Sequence, residues 1–220
     1  MFAINHAATA LLVKRKFPEA PTVWLLISVQ LMELFWVIFN YFGLEKTTTE
    51  KIVKSVSDIH LVFMPFSHSI LSALLLAVSG YLAAFKISGK RVVGLAVGIG
   101  IASHLVLDLI THAPDIVLAP GIDEPKFGLG LYGTAPFLAF VIEILYGAFC
   151  WWVYKGGKAL LAVILLFNLG NLSMLSSAVP GPEEQFAGHP MLIVTVIAAQ
   201  IAITLTLVGI FSRSSGPTNP

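Results

Sequence analysis

Six stretches of about 20 apolar residues recur along this 220-residue chain, and a run of that length is what an α-helix needs to cross the hydrocarbon core of a bilayer. They are residues 22–43, 68–87, 91–113, 134–154, 158–179 and 190–211. Backbone amides find no water inside hydrocarbon, so such segments have to be helical. The expected fold is all-α: a polytopic membrane helix bundle of six transmembrane helices. A further apolar segment, residues 2–13, is too short to cross and reads as an N-terminal half-helix, re-entrant or lying at the interface. Composition agrees, with 57% hydrophobic and 11% charged residues and a mean hydropathy of +0.88, outside the range of soluble domains.

The segment ends carry helix punctuation. Ser67 can cap the second span, Pro114 stops the third, Pro136 suits a first turn and Pro190 opens the sixth. Lys and Arg set the orientation. With residues 14–16 placed inside, nine of the 13 basic residues fall inside and four outside, so both ends of the bundle are expected to be cytoplasmic. The first 16 residues carry their charges after the apolar part, the reverse of a secretory signal, so the segment is expected to be retained. A net charge of +1 offers no basic surface for nucleic acid. The single cysteine, Cys150, has no second cysteine to pair with and supports neither an internal disulfide nor a Cys-based zinc site.

Three acidic residues fall within spans: Glu33, Asp108 and Glu143. An ionisable group at the bilayer centre costs about 2.5–3.5 kcal/mol by the lower estimates, so it faces the bundle interior or water and needs a partner. Histidines supply partners. In SHLVLDLITHAPD a helical advance of about 100° per residue puts His104, Asp108 and His112 on one stripe, with Thr111 and Asp115 inside the same arc. That stripe lies in the outer half of its span, level with His68 at the outer start of the preceding one. His6 reaches the same place only if the half-helix dips into the bundle.

Imidazole nitrogens and carboxylate oxygens converging in a cavity are what a divalent metal requires, zinc foremost, and an i, i+4 pair brings two ligands of one helix to one ion. The candidate ligands are His6, His68, His104, Asp108 and His112. The candidate catalytic carboxylates are Glu33, Asp108 and Glu143, one of them free to act as base. Glu143 reads either as part of this site or as a hydrogen-bonding tie between helices. His60 and His189 read as loop residues, and Gly94 and Gly98 as a helix-packing face. The glycine-rich stretch 121–136 leads from the histidine stripe to the span bearing Glu143, and is expected either to cover the site or to serve as a plain connector.

Two function classes follow. One is a membrane-embedded metal-dependent hydrolase acting at the outer face on an amphiphilic or lipid-like substrate. The other is a small proton or cation transporter or channel built on the same ionisable groups, with a catalytically inactive membrane protein as a further possibility. A relay would spread ionisable residues down to the inner face. Here they gather at one level, which favours a site.

The residues that carry the site also carry a resemblance. AINHAATALL with His6, PFSHSILSAL with His68, and SHLVLDLITHAPD with His104 and Asp108 make the chain resemble the YdjM-like family of predicted membrane-bound metal-dependent hydrolases. The resemblance implies a metal-assisted hydrolase inside the membrane. Where that family commonly shows Pro-Asp-x-Asp, this chain has QLMEL with Glu33, and its His-Arg-Gly-x-Thr-His-Ser block is here FMPFSHS. It covers roughly residues 1–154. The expected organisation is a hydrolase-like membrane core at 1–154, two additional transmembrane helices at 155–211 and a polar tail at 212–220.

Overall fold

The computed structural model describes residues 1–176, 178–179 and 181–213; most of the expected polar tail lies outside them. The helices are α1 (Ala3–Lys16), α2 (Thr22–Tyr41), α3 (Ile70–Ser88), α4 (Arg91–Thr111), α5 (Leu131–Thr134), α6 (Pro136–Tyr154), α7 (Lys158–Gly170), α8 (Leu172–Leu175) and α9 (Pro190–Arg213). Among the described residues, α2, α3, α4, α6 and α9 are long and apolar enough to cross a membrane.

The expected span over 158–179 is corrected. It is the 13-residue α7 followed by the four-residue α8. Gly170 has poor helix propensity, and the side chains of Asn168 and Asn171 turn back onto the carbonyls of Ile164 and Phe167, each at 2.9 Å. Such back-bonding competes with continuation of the helix. At a rise of about 1.5 Å per residue, α7 is too short to cross.

Two ends also differ in detail. Ser69, not Ser67, caps α3, accepting from Ser72 N at 3.1 Å; Ser67 is engaged elsewhere, as described below. His112 is the C-cap of α4, two residues before Pro114. Pro136 occupies the first turn of α6, and Pro190 opens α9.

The half-helix α1 lies at the centre. Nine of its residues are buried, and it packs on α2, α4, α6, α7 and α9. Small side chains such as Ala7, Ala8 and Ala10 permit that many neighbours. By contrast, α3 exposes Leu71, Leu74, Leu75, Val78 and Leu82, an apolar face for hydrocarbon. Its other side meets α4 closely, since a Cβ at Gly94 would stand 2.7 Å from Tyr81 O.

Two antiparallel hairpins lie at one end of the bundle, after α2 and after α4. One pairs β1 (Lys46–Thr49) with β2 (Ile59–Phe63), and the other pairs β3 (Ile116–Ala119) with β4 (Ile122–Phe127). The β-branched threonines of β1 and the alternating IHLVF of β2 suit pleated pairing.

Candidate metal centre

Helix α4 supplies His104 and Asp108 one turn apart, helix α2 supplies Glu33, and the turn before α3 supplies His68. Their ligand atoms lie within 4.8 Å of one another. His68 Nε2 is 3.3 Å from Glu33 Oε2 and 3.6 Å from Asp108 Oδ2. His104 Nε2 is 3.5 Å and 3.0 Å from the same two atoms. Ligands about 2.0–2.2 Å from a tetrahedral ion stand roughly 3.3–3.6 Å apart; three of these four distances fall in that range, and the 3.0 Å between His104 Nε2 and Asp108 Oδ2 is shorter.

Hydrogen bonding says which atoms face inward. The Ser67 hydroxyl donates to Glu45 Oε2 at 2.6 Å, so His68 Nδ1 donates to Ser67 Oγ at 2.7 Å. His104 Nδ1 donates to the carbonyl of Val29 at 2.8 Å. With Nδ1 engaged in this way, both rings turn Nε2 toward the centre, the nitrogen that would be left for a metal. Among the described residues, His68 Nε2, His104 Nε2 and Asp108 Oδ2 are buried without a hydrogen-bond partner. Unpartnered polar atoms in an apolar interior are costly, and here three converge. The group can hold a metal ion.

The close fit of α4 on α2 depends on Gly100, where a Cβ would stand 2.1 Å from Ser28 Oγ. That approach brings His104 against Val29, one residue further along α2.

Other expected ligands surround this group. His6 lies outside the four, with Nε2 3.2 Å from Asp108 Oδ1 and its ring stacked on His104 at a centroid distance of 3.9 Å. The α-amine of Met1 is 2.7 Å from the same Asp108 oxygen and from Thr111 Oγ1. His112 stands 3.8 Å from Asp108 Oδ1, with its Nδ1 3.4 Å from Asp115. His60 pairs with Glu50 at 2.9 Å on the β1–β2 hairpin.

Glu143 is fully buried in a different set of bonds. It accepts from Phe2 N at 3.2 Å, from Asn5 Nδ2 and from the Tyr132 hydroxyl, and Asn5 continues to Asn168 at 2.9 Å. Glu143 is not one of the four clustered residues; it ties α1, α5 and α7 to α6. Burial and the adjacent Glu143 push the Tyr132 hydroxyl well above its usual range, so it keeps its proton and donates.

A cavity of about 670 Å³ opens on the group. Glu33, Asp108, His6 and His112 line it, as do Lys126 and Tyr132 from the 121–136 stretch. Glu33 is the accessible member of the four, its side chain 20% exposed against 2% or less for the others.

Sequence reasoning missed Glu45, which is 3% exposed and also accepts from Phe66 N and Ser67 N at 2.9 and 2.8 Å. Burial raises its carboxyl above the usual range, against the pull of the Ser67 hydrogen bonds. It missed Asn5 as well. The SHS block was the available signal for Glu45, since a serine beside a ligand histidine asks what holds it.

Against known families, residues 52–180 match the model described as YdjM inner membrane protein. The chain belongs to that family. The matched residues include His68, His104, Asp108 and Glu143, and they run beyond residue 154 through α7; Glu33 and His6 precede them. No curated protein and no solved structure matches the chain. It is an integral membrane protein of an inner-membrane family carrying a buried group that can hold a metal ion.

Proposed function

We propose that the chain is a metal-dependent hydrolase acting on an amphiphilic or lipid-like substrate at the outer face of the membrane, with zinc as its ion and both ends of the bundle cytoplasmic. The observation that carries this reading is the convergence of three partnerless buried donor atoms with Glu33 at the wall of a large cavity. In this reading His68, His104 and Asp108 would hold the ion, Glu33 stays uncoordinated at the cavity wall, and His6 and His112 flank the site. A divalent cation in such a site supplies Lewis-acid polarisation of a carbonyl or phosphoryl oxygen and acidifies water.

The chain's own residues do the rest. Glu33, facing the cavity, takes a proton from the attacking water as its oxygen bonds to the carbonyl carbon or phosphorus. The bond to the leaving oxygen breaks, and the same proton passes to that oxygen. Asp108 keeps its charge between His104, His68 and His6 and fixes the arrangement. Glu143 acts through Tyr132, holding the outer segment against the bundle, and is a positioning residue.

The test is reconstitution into liposomes of mixed phospholipids, with water-soluble and lipid products measured by mass spectrometry. The reading expects chelator-sensitive hydrolysis that Glu33→Gln lowers about 100-fold or more. Proton or cation flux without hydrolysis would favour the transport reading instead.

A further inference from the structure

The cavity has a second polar wall that the metal group does not use. Gln30, Asn171, Ser173, Glu183 and Gln200 line it, contributed by α2, α8, α9 and the turn Glu183–Phe186. In a membrane bundle this many polar side chains on one cavity require a reason. One proton of each amide is bonded within the protein: Gln30 Nε2 donates to Ala3 O at 2.7 Å, Gln200 Nε2 to Asn171 Oδ1 at 3.2 Å, and Asn171 Nδ2 to Phe167 O at 2.9 Å. Second amide protons remain on the wall, but the two atoms left with no bond at all are acceptors. Gln30 is fully buried and Glu183 is 4% exposed, and among the described residues the Oε1 of each has no hydrogen-bond partner.

We infer that this wall is a head-group subsite that takes a hydrogen-bond-donating group, hydroxyl or ammonium, of the same amphiphile whose scissile bond lies at the metal group. Gln30 precedes Glu33 by about one turn of α2, roughly 4.5 Å along the axis, so the donor group sits only a few bonds from the bond that breaks. The carboxylate of Glu183 adds a negative charge that an ammonium neutralises. The inference deepens the hydrolase reading and relies on it for the scissile bond, but binding at this wall requires no hydrolysis.

The test uses the full chain in a non-ionic detergent and three single-chain amphiphiles with no hydrolysable bond: 1-O-dodecylglycerol, dodecylamine and dodecyltrimethylammonium. The last carries charge without a donor. Affinities are read by calorimetry for the wild type, Gln30→Met and Glu183→Gln, with metal content measured alongside. Gln30→Met is expected to weaken the two donor-bearing amphiphiles roughly tenfold and to leave the third within about twofold. With Glu183→Gln, loss confined to dodecylamine identifies an ammonium head group, and loss of both identifies hydroxyl recognition as well. Equal affinity of all three amphiphiles for the wild type, or an equal loss of all three in Gln30→Met, would overturn the subsite. If Gln30→Met fails to fold, unchanged binding in Glu183→Gln overturns it alone. Metal loss in the wild type would count against the hydrolase reading and leave these comparisons intact.

Discussion

The His104 ring is held by the backbone of the helix that carries its partner: Nδ1 donates to the carbonyl of Val29 at 2.8 Å, while Nε2 faces Glu33, four residues further along α2, at 3.5 Å. One helix thus both aims the imidazole and supplies the carboxylate opposite it. The contact survives only while α4 stays close to α2, and Gly100 permits that.

Gly100→Val is therefore expected to force the two helices apart, because its Cβ meets Ser28 Oγ at 2.1 Å. Overpacking of this kind costs about 1–3 kcal/mol. Thermal unfolding in detergent should show the loss together with weaker metal binding. Gly170→Ala, with nothing within 4 Å of the added carbon, should change neither.

Ser67→Ala should weaken metal binding by about 10- to 100-fold, the usual effect of removing a ligand's orienting partner, while leaving the fold intact. The serine hydroxyl links Glu45 to His68 Nδ1, and without it the ring is free to turn Nε2 away. Competition with a fluorescent chelator measures the change. Unaltered affinity would mean that the turn alone positions His68.

Tyr132→Phe separates the two buried carboxylate systems. It removes a hydrogen bond to the buried carboxylate of Glu143, worth about 1.5–3 kcal/mol, and leaves Phe2 N as the remaining donor to that oxygen. Hydrogen exchange over residues 112–134 should quicken while metal content stays that of the wild type. Loss of metal in this variant would place Glu143 in the metal site after all.

Much of the site was legible because it is periodic. His104 and Asp108 repeat at i, i+4 on a helix that announces itself by hydropathy, and Glu33 had to face inward because lipid would not tolerate it. Glu45 was legible only indirectly, through the serine beside His68. It sits among charged residues in the segment between α2 and α3, and its partners Phe66 N and Ser67 N are more than 20 positions away. The break in α7 was written in NLGN, but an apolar run on both sides hid it. The hairpins were hidden by their charges, and Pro125 within β4 reads against a strand. The depth of α1 depended on packing against five helices, which no local pattern encodes.

Metal content of the purified, detergent-solubilised protein tests the central claim most directly. By inductively coupled plasma mass spectrometry the account predicts about one divalent ion per chain, lost in His104→Ala and Asp108→Ala and retained in His60→Ala, whose histidine pairs with Glu50 on the β1–β2 hairpin. A wild-type protein that binds no divalent ion after equilibration with zinc, or one whose His104→Ala and Asp108→Ala variants bind as much as it does, would contradict the account.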